Sequence, residues 1–219
     1  MSTGGDATVV EVSLHYVMPR PTIFSPDLML DAALEVVAED GVGSLTMTSV
    51  ATRLGAASGS IYYRFPNRAA LAAALWLRTQ DRFHAGFLEG LDHPDPLTAA
   101  RRAAANIVAF SHDHRLDAML MMRYRSDDLL RSSWSDEHLA QHRRQRRRMS
   151  SAVTSLQRAF GVDDRESLRR ITFAVVDVPY TAARAAIVAV RLPDELAARL
   201  IDETVVALLL PLTVGGHPH

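Results

Sequence analysis

The sequence predicts an all-α protein with a small N-terminal helix-turn-helix domain and a larger helical C-terminal domain. Apolar residues recur at intervals of three and four along most of the chain, for example at Met29, Ala33 and Val36. Residues that favour helix starts precede these segments, and glycine or proline follows them. Because β-branched and polar residues rarely alternate, no sheet is expected.

Four helices are predicted before the break at His93. Their caps are Ser25, Thr46, Ser58 and Asn67. The first three end at Gly41, Gly55 and Pro66. Two short helices that are joined by a glycine-containing turn and braced by longer helices form the helix-turn-helix arrangement.

Five more helices are predicted, near 96–114, 116–124, 136–160, 164–190 and 193–212. Pro179 should kink or interrupt the fourth of these, because proline lacks the backbone N–H that a helix interior needs. The expected division is a disordered leader (1–18), a helix-turn-helix domain (19–68) and a larger helical domain (69–213).

Composition restricts the classes of protein and partner. The 219 residues include no cysteine, which excludes disulfides and thiolate metal sites and suits a cytoplasmic protein. No uninterrupted apolar run is long enough to span a bilayer, so no membrane association is expected. The net charge is −1, yet residues 41–80 contain no acid and four arginines, a local asymmetry that favours an anionic partner. These arginines are Arg53, Arg64, Arg68 and Arg78.

The segment from Arg20 to Leu75 carries a recognisable motif. Its parts are Leu30-Asp31-Ala32-Ala33-Leu34, Asp40-Gly41, Leu45-Thr46-Met47-Thr48-Ser49-Val50-Ala51 and Leu54-Gly55-Ala56-Ala57-Ser58-Gly59-Ser60-Ile61-Tyr62-Tyr63-Arg64-Phe65. This segment resembles the DNA-binding domain of the TetR/AcrR family of bacterial repressors. The resemblance implies that the third helix reads DNA and that Tyr62 contacts phosphate. Ala57 stands where the family usually has a Ser or Thr cap, so capping is expected to pass to Ser58.

The chemistry of the same residues suits a DNA surface. Ser58, Ser60 and Tyr63 leave room for close approach and can donate to phosphates or base edges. Gly59 lets the backbone come near the sugar-phosphate chain, and Arg20 in the leader could add a contact. The predicted DNA-binding residues are Thr46, Thr48, Ser58, Gly59, Ser60, Tyr62, Tyr63 and Arg68. Ile61 and Phe65 are predicted to fill the core.

A Met- and aromatic-rich set in the C-terminal domain predicts a pocket for a small, mostly apolar effector. Polar groups in an otherwise apolar helix could orient that effector, although all of these residues could equally be ordinary core. The candidates are Phe110, Met119, Met122, Trp134, Phe173, Asp177, Tyr180 and Arg184.

The last two predicted helices carry small and apolar stripes, Ala182–Ala189 and Ala197, Ile201, Val205, Leu208 and Leu212. In the resembling family these helices pair across a homodimer as a four-helix bundle. Intrachain core is the alternative. The run Arg143–Arg148 is interpreted as a solvated surface paired with acids.

The prediction is a homodimeric, ligand-responsive transcriptional repressor that binds a palindromic double-stranded DNA operator. An activator would have the same sequence features. The alternative from another class is a helical small-molecule-binding protein or enzyme that no longer reads DNA. The sequence contains no recognisable catalytic, cofactor or metal motif, so we expect neither an enzyme nor a bound cofactor.

Overall fold

The computed structural model describes residues 24–214, and every regular element in that range is helical, which confirms the all-α prediction. The α-helices are α1 (Pro26–Asp40), α2 (Met47–Leu54), α3 (Ser58–Arg64), α4 (Arg68–Leu91), α5 (Pro96–Asp113), α6 (Arg115–Arg123), α7 (Asp136–Ala159), α8 (Arg165–Thr172), α9 (Val178–Val188) and α10 (Glu195–Val214). Short 3₁₀ turns occur at Val42–Ser44, Ser126–Leu129 and Arg131–Ser133. The predicted 1–18 leader and Arg20 lie outside the described residues.

Local capping chemistry sets the helix starts. The backbone N–H of Leu28 donates to Ser25 Oγ at 3.2 Å, and that of Ala70 donates to Asn67 Oδ1 at 2.9 Å. Thr46 and Ser49 cap α2 reciprocally, with N–H to Oγ distances of 2.9 and 3.0 Å. Three of the four predicted caps are thus confirmed.

The prediction that Ser58 caps α3 is wrong. Ala57 holds the extended cap position (φ −70°, ψ 138°) without any side-chain hydrogen bond, and Ser58 is the first helical residue. Gly55 is left-handed (φ 64°) and turns the chain after α2. Helix α3 therefore begins one residue earlier than the position of Ser58 as a cap would predict. The Ser60 N–H donates to the Ala57 carbonyl at 2.9 Å.

Pro179 lies in a long helix whose geometry changes just before it but which is not broken. A π-turn at Phe173–Asp177 joins α8 to α9 directly before Pro179, so Arg165–Val188 is continuous. The wider turn suits a proline that cannot donate a backbone hydrogen bond. By length and composition this helix could cross a membrane. In the structure it supplies Ile171, Val175 and Ile187 to a buried core.

Two hydrophobic cores position the N-terminal motif. The first combines α1–α3 and the first half of α4 with Leu120, Leu129 and Trp134. The second lies between α4, α5 and the later helices and includes Phe87 and Phe110. Because α4 contributes to both cores and α6 reaches the first, the helix-turn-helix is attached firmly to the C-terminal domain.

Candidate functional site

Helices α2 and α3 form a helix-turn-helix whose inner face packs into the first core. Val50 and Ala51 of α2 and Ile61 of α3 are buried in the first core, and Phe65 closes the end of α3. The predictions that Ile61 and Phe65 fill the core are confirmed. One face of α3 is thereby fixed inward, and its opposite face is presented to solvent.

The outward face of α3 displays two neighbouring tyrosines. Tyr62 is 54% exposed and Tyr63 is 94% exposed, so neither serves as core. Gly59 is also exposed, and a Cβ atom at its position would meet nothing within 4 Å. Ser58 and Ser60 are half-buried beside it. Large aromatic side chains are rarely left in water without a partner surface, so this face has the character of an interaction site.

The two threonines at the start of α2 differ in their availability. Thr46 uses its hydroxyl in the cap, because Thr46 Oγ1 also lies 3.0 Å from Ser49 Oγ. Thr48 is exposed on the first turn of α2. Thr48 and the helix N-terminal amides are therefore better placed than the Thr46 hydroxyl to meet a phosphate.

Arg68 is bound to the chain's own backbone. Its Nε donates to the Leu45 carbonyl at 2.6 Å, and its Nη2 donates to the carbonyls of Val42 and Gly43 at 3.0 and 3.1 Å. The guanidinium thus clamps the α1–α2 loop onto the start of α4. Sequence reasoning missed this role because the partners are backbone atoms more than twenty residues away.

The positive character of residues 41–80 is smaller than the arginine count indicates. Arg53 pairs with Glu39 at 2.5 Å and with Glu35 at 3.4 Å, and Arg78 pairs with Asp31 at 2.8 Å. The hydrogen bonds to Glu39 also lower the pKa of that carboxyl. Acids of α1 therefore neutralise two of the four arginines. The exposed Arg64, beside Tyr63, remains available to an anion.

The effector-pocket candidates do not line one cavity. Phe110 and Met122 are buried in the second core, and Met119 packs against that core. Trp134 belongs to the first core, where its Nε1 donates to the Leu129 carbonyl at 2.8 Å. These four residues are therefore core in this structure, which is the alternative that their sequence pattern left open.

The candidates on the long helix lie at the surface. Phe173 and Asp177 line an open hollow of about 980 Å³ together with Arg165 and Arg169. Arg184 does not pair with Asp177, because its Nε donates to the Met122 carbonyl at 3.0 Å.

Tyr180 joins α9 to α6, since its hydroxyl donates to the Met121 carbonyl at 3.2 Å. It also borders a second hollow of about 300 Å³, whose walls include Trp76, His142 and Arg146. The sequence pattern does not associate these residues. No spacing signal could have done so, because they come from three separate helices.

The last two helices expose an apolar surface that differs from the predicted one. Ile201 and Val205 are buried in the second core, so the prediction that these two residues face a partner is wrong, whereas Ala185 of the predicted Ala182–Ala189 stripe is exposed. The exposed apolar residues of α10 include Leu196, Leu200, Ala207 and Leu210, and Val188 of α9 is also exposed. Both stripes fit a helical period, and packing within the chain takes the one that includes Ile201.

The arginine run of α7 is solvent-exposed, as predicted, at Arg143, Arg144, Arg146, Arg147 and Arg148. None of these five forms an ion pair with an acid within residues 24–214, contrary to the expectation of acidic partners. Beside these arginines, α7 buries His142 and Gln145, and further along it buries Val153, Leu156 and Gln157.

Comparison with known proteins agrees with this geometry. The family described as "Bacterial regulatory proteins, tetR family" matches residues 29–75, which span α1–α3 and the start of α4. A TetR-like transcriptional regulator from Rhodococcus sp. RHA1 has a similar structure, with TM-score 0.64 and 19% identity, over 88% of this chain and 98% of that one. No curated protein sequence matches the chain significantly.

Two further solved structures share the architecture. A TetR-family regulator from Streptomyces coelicolor has TM-score 0.55 and 20% identity over 85% of this chain and 98% of its own. The fatty acid degradation regulator FadR from Bacillus halodurans has TM-score 0.60 and 17% identity over 89% and 96%. At these identities the likeness concerns the fold. Residues 29–75, with α3 exposed, therefore match the DNA-binding domain of the TetR family of bacterial regulatory proteins, on a fold shared with solved TetR-family regulators.

Proposed function

We propose that this regulator is a homodimeric, ligand-responsive repressor that reads a palindromic DNA operator by inserting α3 into successive major grooves. The observation that carries the proposal is the exposure of Tyr62 and Tyr63 on a short helix whose other face is buried. Ser58, Ser60 and Gly59 keep the start of α3 slim, which suits close approach to a groove. Thr48 would contribute a backbone contact beside them.

The apolar surface on α9 and α10 supports the dimer. Leu196, Leu200 and Leu210 are each about half exposed, and Val188 and Ala185 of α9 are exposed as well. A second copy of the same surface would cover these side chains, as in an isologous two-fold interface. Two-fold symmetry would then impose a palindromic site on the DNA.

Ligand response follows from two conformations with different DNA affinity. An effector that binds better to the state with misplaced recognition helices would release the operator. The attachment of α1 to α6 in the first core offers a mechanical connection between the two domains.

The test begins with a genomic pull-down and sequencing of the bound fragments. Labelled duplexes of the enriched sequence are then titrated with wild type, Tyr63→Ala and Arg64→Ala. Tyr63→Ala should weaken operator binding by about tenfold or more, the effect of losing one good base or phosphate contact. Arg64→Ala should weaken binding to all sequences and lower the salt slope by about one.

Arg147→Ala is the matched control, because it removes one exposed arginine from α7 without touching the motif. Its operator affinity should equal that of wild type. The absence of any enriched sequence would contradict the proposal. Wild-type affinity in the Tyr63→Ala variant would remove α3 as the reading helix.

A further inference from the structure

We propose that the hollow between α4, α6, α7 and α9 binds a small organic anion, a carboxylate on an apolar body, and that this anion is the effector. The site is the second hollow described above, of about 300 Å³. That volume lies at the lower end of the range of small-molecule pockets, roughly 300–1,000 Å³. The role as effector rests on the proposed function, whereas binding of the anion does not.

Two buried polar atoms at this site have no partner within the described chain. They are Trp76 Nε1 and His142 Nδ1, and both side chains are more than nine-tenths buried. Buried polar groups in proteins are almost always hydrogen-bonded, so two such atoms at one hollow need partners that the described chain does not supply. The indole N–H is a donor only and requires an acceptor.

The charge of the walls selects an anion. Arg125 and Arg146 line the hollow, and no wall residue is an acid. Neither guanidinium is in an ion pair with the acids of residues 24–214. Burial, followed by the nearby Arg146 and Arg131, lowers the pKa of His142 and keeps its ring neutral at neutral pH. A carboxylate can pair with a guanidinium and accept from the indole N–H.

The remaining walls suit an apolar body. The side chains of Met121 and Tyr124 and the ring of Tyr180 border the same space. Both buried polar atoms are almost inaccessible to solvent, so ligand binding requires a side chain of the wall, such as the flexible Met121, to shift. The ligand therefore combines an acidic head group with a small apolar or aromatic part.

Tyr124, a wall residue of the hollow, also lies beside the end of α1, just before the helix-turn-helix. An atom at the Cβ position of Gly41 would lie 3.6 Å from the Tyr124 hydroxyl oxygen. Gly41 ends α1 and begins the loop that Arg68 holds by its carbonyls. A ligand that moves Tyr124 would press on this loop and thereby shift α2 and α3.

Intrinsic fluorescence is a direct readout, because the only two tryptophans of the chain report on this site. Trp76 lines the hollow, and the Trp134 ring centroid lies 5.8 Å from that of His142. The probes are sodium benzoate and its neutral analogue benzamide, titrated to tens of millimolar at constant ionic strength. Benzoate should produce a saturable change with a millimolar or tighter dissociation constant, as expected for a fragment-sized ligand. Benzamide should bind at least about tenfold more weakly.

Arg146→Gln should weaken benzoate binding by about tenfold, the loss expected when a charge-assisted hydrogen bond is removed. Arg147→Gln is the control, one residue along α7 and outside the hollow, and should bind like wild type. Both arginines are exposed, so both variants should keep the wild-type melting temperature.

Four results would overturn the proposal. These are no saturable change with benzoate, equal binding of benzamide, equal losses in the two arginine variants, or benzoate binding that leaves operator affinity unchanged. The first three reject the anion site, and the fourth rejects the effector role. Operator binding by wild type and its loss in Tyr63→Ala are measured without benzoate. Failure of the anion site is therefore distinguishable from failure of DNA reading.

Discussion

Replacing Arg68 by alanine tests whether this residue stabilises the fold or contacts DNA. The substitution removes three hydrogen bonds to backbone carbonyls of the α1–α2 loop, the shortest being 2.6 Å to Leu45. The Leu45 side chain is only 1% exposed, so its carbonyl lies where few other partners can reach it. A hydrogen bond from a charged donor contributes about 1.5–3 kcal/mol, and three bonds from one guanidinium are not additive.

Arg68→Ala is therefore expected to lower the free energy of unfolding by about 2–4 kcal/mol. For a chain of this size that corresponds to a fall in melting temperature of roughly 5–15 °C. Urea denaturation followed by circular dichroism measures the difference. Arg68→Lys should recover part of the loss, since an ammonium supplies donors but not the planar fork. Arg64→Ala, at an exposed arginine of α3, should change stability by less than about 0.5 kcal/mol.

DNA titration of the same variant separates the two roles. If Arg68 acts through the loop, its loss should weaken operator binding while the salt slope stays at the wild-type value. The sequence alone predicts the opposite, a phosphate contact whose loss lowers the slope by about one. Unchanged stability together with a lower slope would refute the structural role of Arg68.

Three other variants test separate parts of the fold. Leu200→Arg places a charge in the exposed stripe of α10 and should give folded monomers in light scattering. Leu28→Arg changes an equally exposed leucine of α1 and should leave the dimer intact. Dimers in both variants would place the interface elsewhere. Burial lowers the pKa of His84 to about 4, so between pH ~6.5 and pH ~4 the unfolded chain binds a proton that the folded protein does not. The free energy of unfolding is therefore highest above pH ~6.5 and falls towards pH ~4. That loss, about 3 kcal/mol in urea denaturation, should be absent in His84→Leu, and equal pH slopes in the two proteins would contradict the reasoning. Asp117→Ala removes the carboxylate that accepts hydrogen bonds from Thr79 and Arg82 at 2.5 and 3.0 Å. Thermal denaturation should show a free energy of unfolding lower by about 2–4 kcal/mol. A loss below about 1 kcal/mol would show that water replaces the carboxylate.

Much of the architecture could be predicted from local patterns. The starts of α1, α2 and α4 follow from Ser25, Thr46 and Asn67, whose side chains bond to backbone only three residues away. The change of helical geometry before Pro179 is also local, because it follows from a missing N–H. Ser58 shows the limit of this reasoning, since a capping residue type does not guarantee the extended conformation that a cap requires.

The sequence by itself therefore determined the helices, their order and the helix-turn-helix motif, because periodicity and capping act within a few residues. Tertiary structure decided which charges remain available, since Arg53, Arg68 and Arg78 find partners far along the chain. It also decided which stripe of α10 faces outward, a choice that periodicity leaves open. The hollow beside Trp76 and Arg146 exists only where four helices meet, and contacts between distant segments leave no spacing signal in a single sequence.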